Sequence, residues 1–405
     1  MPGSLVGRRS IAVQLSTAQG FLFLLLLLGL AATALRLVSR TAPIVPYPVL
    51  LAAGGILIGL VPGLHLPPIG ADLFLLAFVP GLVFEASLSV DLEEMWRRLV
   101  PISLLATVGV LITVGLIGAL AHVLLGLDWA AGFLVGAIVA ATDPIAVVNL
   151  LRQVGAPRGL EAILDGESLF NDGTGVALFA AVLGTILTGH PSVGDAGLRF
   201  VFVTVVGASI GLAAGAAGVV LLRVVKEAEL EILISLVLAY GSYLAADLLH
   251  ASGVVAVVTA GIFVARALQG TQLHGFWRLL AFVLNAILFL LVGLALPTSR
   301  LLAVAGLVLG GYLIMSAARA VAVYGVLGAI DLRASSIPWR WRHMTVWGGL
   351  RGALAVALAL SVASYPQIPA QVSVIAYGMV VLSLLVQGGL LLPVAGLLGL
   401  RSKAT

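Results

Sequence analysis

Cysteine and charge are what this 405-residue chain lacks. It has no cysteine, which excludes disulfide bonds, thiolate metal sites and cysteine nucleophiles. Only 9% of its residues are charged and 61% are hydrophobic, whereas a soluble domain has about 25% charged and 45–50% apolar residues. These proportions exclude an ordinary soluble globule, a disordered chain and a nucleic-acid-binding protein. They indicate a polytopic membrane protein.

Apolar stretches long enough to cross a bilayer recur along the whole sequence. A transmembrane helix needs about 20 apolar residues. The stretches that meet or approach this length are 19–36, 44–64, 70–90, 99–125, 130–152, 161–188, 198–223, 230–250, 252–269, 276–297, 301–330, 343–364 and 370–399. The sequence therefore predicts an all-α polytopic membrane protein with about 13 transmembrane helices.

The distribution of lysine and arginine supports this count. With the N-terminus outside, the inside loops and the C-terminal tail contain fifteen basic residues, and the outside loops contain two. This asymmetry is typical of the positive-inside rule. It predicts a multi-pass protein of the cell (inner) membrane with a cytoplasmic C-terminus. Arg8 and Arg9 before an apolar run also suit a cleaved signal peptide, which would invert the orientation.

The thirteen spans divide into six, one and six, which predicts two halves of opposite orientation. Inverted repeats of this kind build many secondary transporters, whose binding sites lie near the membrane midplane. We therefore expect one membrane transport domain over 1–405. Its predicted parts are an N-terminal tail (1–18), a first repeat (19–188), a linker helix (198–223), a second repeat (230–399) and a short cytoplasmic tail (400–405).

Ionisable residues interrupt several of these apolar spans. Such residues are costly in lipid and are by default functional. Asp143 lies halfway through the fifth span, Asp172 lies in the sixth and Arg319 in the eleventh. At 1.5 Å per residue these three side chains are expected at roughly the same depth. Glu85 lies nearer the inner end of the third span, and Arg351 lies in the inner half of the twelfth.

Two spans are expected to be broken helices. Pro144 lacks a backbone donor and disfavours helix at Asp143, so a backbone carbonyl and the Thr142 hydroxyl become available to a cation. Three glycines in 347–352 weaken the twelfth span, where the Arg351 guanidinium could neutralise the carbonyl ends of the break. Paired interruptions in corresponding places of two halves indicate a transport site.

The predicted ion site is a cluster of oxygen-bearing side chains. Hard cations such as Na⁺ prefer oxygen ligands. The candidate ligands for Na⁺ or a similar ion are Asp172, Ser168, Thr142, Asp143 and Glu85. We assign Asp172 as the principal carboxylate, which alternates between a proton and an alkali cation. Competition of the two for one cluster is an antiport mechanism, and it requires no cofactor beyond the transported ions.

Glu167 receives a different interpretation. An unpaired buried charge costs several kcal/mol, so we expect Glu167 to form a structural ion bridge with an arginine. Arg319 and Arg351 both remain candidates for that bridge. Asn171 follows Glu167 by four residues and shares its helical face, whereas Asp172 is turned away by roughly 140°.

The run ATDPIAVVNLLRQVGAPRGLEAILDGESLFNDGTGVALF (141–179) resembles the core of sodium/proton exchangers of the NhaP/NHE type. The resemblance continues through 250–261, Arg319 and the Gly-Gly-Leu-Arg-Gly run at 348–352. It implies an NhaA-like fold with two broken crossing helices. It also implies a homodimer, with a dimerisation bundle and a core bundle that moves like an elevator.

The same resemblance implies roles for individual residues. Asp172 would be the ion- and proton-binding aspartate, and Asn171, which we include among the ion- and proton-binding residues, would stabilise the crossing. The assisting residues would be Thr142, Asp143, Ser168 and Glu85. An Asn-Asp pair in place of Asp-Asp implies electroneutral exchange of one Na⁺ (or Li⁺) for one proton.

Other interpretations remain open at this stage. A K⁺/H⁺ antiporter could use the same scaffold, and a cation channel could place a carboxylate in its pore. Asp143 and Asp172 could form an intramembrane aspartyl protease dyad, although the Tyr-Asp and Gly-x-Gly-Asp motifs of such enzymes are absent. Glu85 could instead extend toward water. Asp165 and Glu161 could attract cations at the inner mouth or simply begin a solvated helix.

Overall fold

The computed structural model describes residues 17–41, 45–61, 74–189, 193–225, 227–267, 273–296, 298–331 and 337–400. Throughout these ranges the regular structure is helical. Residues 1–16 and 401–405, which make up most of the two predicted tails, lie outside the described residues. The end of the second predicted span and the start of the third also lie outside them.

The helices follow one another along the chain with short connections. In order they are α1 (Thr17–Thr41), α2 (Tyr47–Gly59), α3 (Phe74–Ser89), α4 (Leu92–Arg97), α5 (Leu99–Leu125), α6 (Trp129–Ile138), α7 (Ile145–Gln153), α8 (Arg158–Leu187), α9 (Val193–Val224), α10 (Ala228–Leu248), α11 (Gly253–Ala267), α12 (Leu273–Leu294), α13 (Thr298–Ala303), α14 (Ala305–Asp331), α15 (Trp339–Trp347), α16 (Ala353–Val362), α17 (Ala370–Gly388) and α18 (Leu391–Leu397).

The length and composition of these helices suit a membrane. In the described ranges, eight helices are at least 18 residues long and apolar enough to cross one. They are α1, α5, α8, α9, α10, α12, α14 and α17. Large apolar side chains such as Leu198 and Leu313 are exposed on their outer faces, where lipid would cover them. The protein is thus an all-α multi-pass membrane protein. Each of the thirteen predicted spans overlaps at least one of the eighteen helices given above, long or short, and the number of crossings stays a prediction.

Two of the predicted spans are interrupted by non-helical segments. Between α6 and α7 the chain leaves the helix at 139–144, where Pro144 cannot donate the backbone bond that a continuous helix needs. Between α15 and α16 it does so at 348–352, where glycine weakens the helix. Both interruptions fall where the sequence predicts broken helices.

Helices α2 and α12 approach each other more closely than side chains would allow. A Cβ atom added at Gly55 would overlap the backbone of Leu290 and lie 2.9 Å from the nitrogen of Leu294. A Cβ atom at Gly293 would overlap the carbonyl oxygen of Ala52 and lie 2.7 Å from the nitrogen of Ile56. Small residues permit this backbone contact in transmembrane helices. The pair forms one wall of the cavity described below.

Replacing Gly293 with alanine is expected to destabilise the protein by about 3 kcal/mol, because neither helix backbone can yield to the added methyl group. Thermal unfolding in detergent should show a lower melting temperature. Gly325→Ala is the matched control, since nothing lies within 4 Å of a Cβ atom there. Equal melting temperatures for the two variants would contradict the close contact.

Candidate functional site

A cavity of about 1190 Å³ connects the two interruptions with the protein surface. Asp143, Asp172 and Gly352 line its deep end. Its mouth includes Glu93, whose side chain is largely exposed. Charged side chains from several loops and helix ends surround that mouth: Arg36, Asp91, Arg152, His274 and Arg278. The deep carboxylates are therefore reached from one face of the protein.

All five predicted cation ligands line this cavity. They are Asp172, Asp143, Thr142, Ser168 and Glu85. They surround open space: among the described residues no three His, Asp or Glu side chains are grouped closely enough to hold a metal ion. A cation there would keep part of its water shell.

The two interruptions touch each other through backbone and guanidinium contacts. The backbone nitrogen of Asp143 donates to the carbonyl oxygen of Leu350 at 2.7 Å. Arg351 donates through Nη1 to the carbonyl oxygens of Ala140 at 2.8 Å and Ala141 at 3.2 Å. Those carbonyls end the α6 half-helix, so the guanidinium neutralises the negative end of its dipole.

Glycine allows one side of this crossing to form. A Cβ atom at Gly352 would overlap the side chain of Asp143. Gly349 lies against Arg319, whose Nε would be 2.8 Å from a Cβ atom there. The glycines at 348–352 therefore admit a carboxylate and a guanidinium beside the backbone, in addition to weakening the helix.

Helix α8 holds Thr142 by three hydrogen bonds. The Asn171 amide accepts from the Thr142 backbone nitrogen at 3.2 Å and donates to the Thr142 hydroxyl at 2.7 Å. The Ser168 hydroxyl donates to the Thr142 carbonyl oxygen. Asn171, one of the predicted ion-site residues, is fully buried and does not line the cavity. Its contacts hold the interrupted segment in place.

Asp172 faces the cavity without a basic partner. In the described part of the chain, no lysine, arginine or histidine is within salt-bridge distance of its carboxylate. The carboxylates of Asp143 and Glu167 add to the negative potential around it. Ser168 lies one turn earlier on the same helix and also lines the cavity.

Glu167 pairs with Arg319. Two guanidinium nitrogens of Arg319 donate to the two carboxylate oxygens, with Nη2 2.7 Å from Oε2. Nη2 also donates to the carbonyl oxygen of Thr345 at 3.0 Å. Glu167 is 1% exposed and Arg319 5% exposed, so this ion pair is in the protein interior. Arg319 and Arg351 were the two predicted candidates for the bridge to Glu167. Arg319 is the one that contacts Glu167, whereas Arg351 lies at the C-terminal end of α6.

A π-helical turn in α17 supports the second interruption. The backbone nitrogen of Arg351 donates to the Ser383 hydroxyl at 3.2 Å, and this hydroxyl donates to the Gln387 side chain at 2.6 Å. The Trp347 indole donates to the Gln387 carbonyl oxygen at 2.9 Å. The π-helical turn spans Ser383–Gly388. Ser383 and Gln387 were not among the predicted site residues; the signal for them in the sequence is their four-residue spacing inside an apolar span.

The mouth of the cavity contains a second group of charges. Glu85 on α3 accepts a hydrogen bond from Ser89 at 2.7 Å. Across the cavity, Arg152 lies 2.8 Å from Asp165 and 3.4 Å from Glu161. Arg152 was not among the predicted site residues.

Comparisons with known proteins agree with this description. The family model described as "Sodium/hydrogen exchanger, transmembrane" matches residues 21–396. The chain is 36% identical to the Na⁺/H⁺ antiporter NhaP of Pseudomonas aeruginosa over 330 aligned residues, and these make up 77% of each chain. It is 34% identical over 357 residues to the Na⁺/H⁺ antiporter ApNhaP of Aphanothece halophytica, which covers 85% of this chain and 68% of that one.

A solved structure has the same fold. It is the structure at pH 8 of the sodium proton antiporter MjNhaP1 from Methanocaldococcus jannaschii. The TM-score is 0.75 at 22% identity, over 95% of this chain and 99% of that one.

The all-helical fold and the family match define a multi-pass membrane transporter and not an enzyme. The chain belongs to the sodium/hydrogen exchanger family, since the family model spans nearly all of it. The resemblance found in the sequence is thereby confirmed.

Proposed function

We propose that this protein exchanges Na⁺ (or Li⁺) for protons by alternating access, one cation for one proton. The observation that carries the proposal is Asp172, a cavity-facing carboxylate with no basic partner in the described residues. A carboxylate away from bulk water needs a compensating positive charge. A proton and an alkali cation both supply one, and they compete for the same oxygens.

The surrounding groups suit a partly hydrated cation. Ser168 and Asp143 line the same cavity and offer oxygen atoms close to the interrupted segment. In the Asn171-Asp172 pair, the Asn171 amide is hydrogen-bonded to Thr142 and takes up no proton. Asp172 is therefore the residue of this pair that exchanges a proton for a cation. One exchanging carboxylate supports electroneutral exchange. Glu167 stays with Arg319 as a structural bridge and does not take part.

The position of the interruptions supports the proposed topology. They fall in the fifth and twelfth predicted spans, each the fifth span of a six-helix repeat. We infer thirteen crossings with inverted, NhaA-like repeats separated by the linker helix α9. A homodimer within the bilayer remains part of this proposal, with the exposed apolar faces available for a second copy.

The charges at the cavity mouth support the proposed orientation. Arg36, Arg152 and Arg278 all lie there and all belong to loops or helix ends predicted to be inside. We infer that the N-terminus is outside, the C-terminus is cytoplasmic and the protein resides in the cell (inner) membrane. The structure then corresponds to an inward-facing state.

The test is pH-gradient dequenching in proteoliposomes with Na⁺, Li⁺ and K⁺ titrated separately, with and without an imposed voltage. We expect Na⁺ and Li⁺ to drive proton movement at rates that the voltage leaves unchanged. The apparent KM for Na⁺ should rise as the pH falls, because a protonated carboxylate cannot bind the cation. Proton movement driven by K⁺ alone would favour a K⁺/H⁺ antiporter. Voltage-driven current without coupling would indicate a channel.

A further inference from the structure

Oxygen-bearing side chains recur once per turn along one face of α8. Glu161, Asp165, Ser168 and Asp172 are separated by four, three and four residues, and this spacing places side chains on one helical face. At 1.5 Å per residue the series extends over about 17 Å. Asp165, Ser168 and Asp172 all line the cavity. An ion moving from the mouth to Asp172 would therefore pass Asp165.

A guanidinium occupies this route at its outer end. Arg152, at the end of the α7 half-helix, bridges Asp165 at 2.8 Å and Glu161 at 3.4 Å. Its side chain is 49% exposed, whereas that of Asp165 is 23% exposed. Arg152 also lines the cavity. A positive charge thus lies between the solvent and the deep carboxylate.

The opposite wall carries mixed charge. Glu85 on α3 lines the same cavity as Arg152 and as Arg278 and His274 on α12. Asp165 also lines it, paired with Arg152. Removing Arg152 would take one positive charge from beside the carboxylates of Asp165 and Glu161, and the potential there would become more negative.

We propose that Arg152 is a tethered counter-ion that competes with incoming cations at the cavity mouth and so sets the apparent affinity for cations from that side. The inference rests on the proposed exchange function. Arg152 is not a ligand of the transported ion. It acts through the electrostatic potential at the cavity mouth and through its ion pair with Asp165. A cation gains access as Arg152 moves aside or is out-competed.

The expected effect of removing the charge follows from electrostatics. A cleft of one sign of charge concentrates ions of the other sign, and exposed charges are screened by salt. Arg152→Gln should therefore lower the apparent KM for Na⁺ by about three- to tenfold at low ionic strength. Raising the ionic strength with impermeant choline chloride should shrink the difference.

The experiment compares variants in vesicles that expose the cavity face. Arg152→Lys keeps the charge and should retain the native KM. Arg223→Gln is the matched control: Arg223 is also an exposed arginine at a helix end but does not line the cavity. A KM that is unchanged or higher in Arg152→Gln, or an equal change in Arg223→Gln, would overturn the proposal.

A double variant separates the field from simple structural damage. Arg152→Gln with Asp165→Asn removes one charge of each sign, so the KM should return toward the native value. A merely structural role predicts additive losses and a lower melting temperature in place of this recovery. Failure of the native protein to exchange Na⁺ at all would contradict the proposed function. Normal exchange with a KM that is insensitive to Arg152 would contradict only this inference.

Discussion

Asp172→Asn is expected to reduce cation-driven proton movement at least a hundredfold. An amide neither takes up a proton near neutral pH nor supplies the negative charge that an alkali cation needs in a site away from bulk water. The shape of the side chain is preserved, so the interrupted segments and their contacts should remain. Dequenching assays on vesicles with matched amounts of folded protein measure the loss.

Two controls make this result specific. Asp247→Asn changes a carboxylate in the same way on α10, where the side chain is exposed and outside the cavity, and should leave exchange unchanged. Melting temperature and elution volume should match those of the native protein. Native-like exchange by Asp172→Asn would remove the assignment of the site, whatever the other variants show.

The features that local chemistry dictates could be read from the sequence. A proline disfavours helix at the residue before it wherever it occurs, so the interruption around Asp143 needs no knowledge of the fold. The helical angle between Glu167 and Asp172 likewise predicted two different environments. In the structure one carboxylate faces Arg319 and the other faces the cavity.

Pairings between distant segments could not be read in this way. Arg319 is 152 residues from Glu167 and Arg351 is further, and nothing in the sequence orders their distances in space. The spacing of Ser383 and Gln387 marks them as polar residues in an apolar span, but it does not show that a π-helical turn joins them to the second interruption. The ion pairs of Arg152 with Asp165 and Glu161 depend on how α7 packs on α8 after the break. Each of these is a tertiary contact, and neither helix propensity nor hydrophobic periodicity predicts tertiary contacts.

The second large effect is expected from Glu167→Gln, which should lower stability by about 3–5 kcal/mol. The substitution leaves the Arg319 guanidinium buried without its counter-charge. Among the described residues, the buried Nε of Arg319 has no hydrogen-bond partner, and the Thr345 carbonyl oxygen, the other group that Arg319 contacts, is neutral. The apparent KM for Na⁺ should change little in the protein that remains folded, because Glu167 does not line the cavity.

Thermal unfolding in detergent, combined with KM measurements, distinguishes this structural bridge from an ion ligand. Glu93→Gln breaks an exposed bridge to Arg97 and should have little effect on the melting temperature, as surface pairs contribute little to stability. Replacing both partners with apolar residues, Glu167→Leu with Arg319→Met, should recover much of the stability, because removing a whole buried pair costs less than orphaning one charge. An unchanged melting temperature with weakened cation binding in Glu167→Gln would instead place Glu167 among the ion ligands.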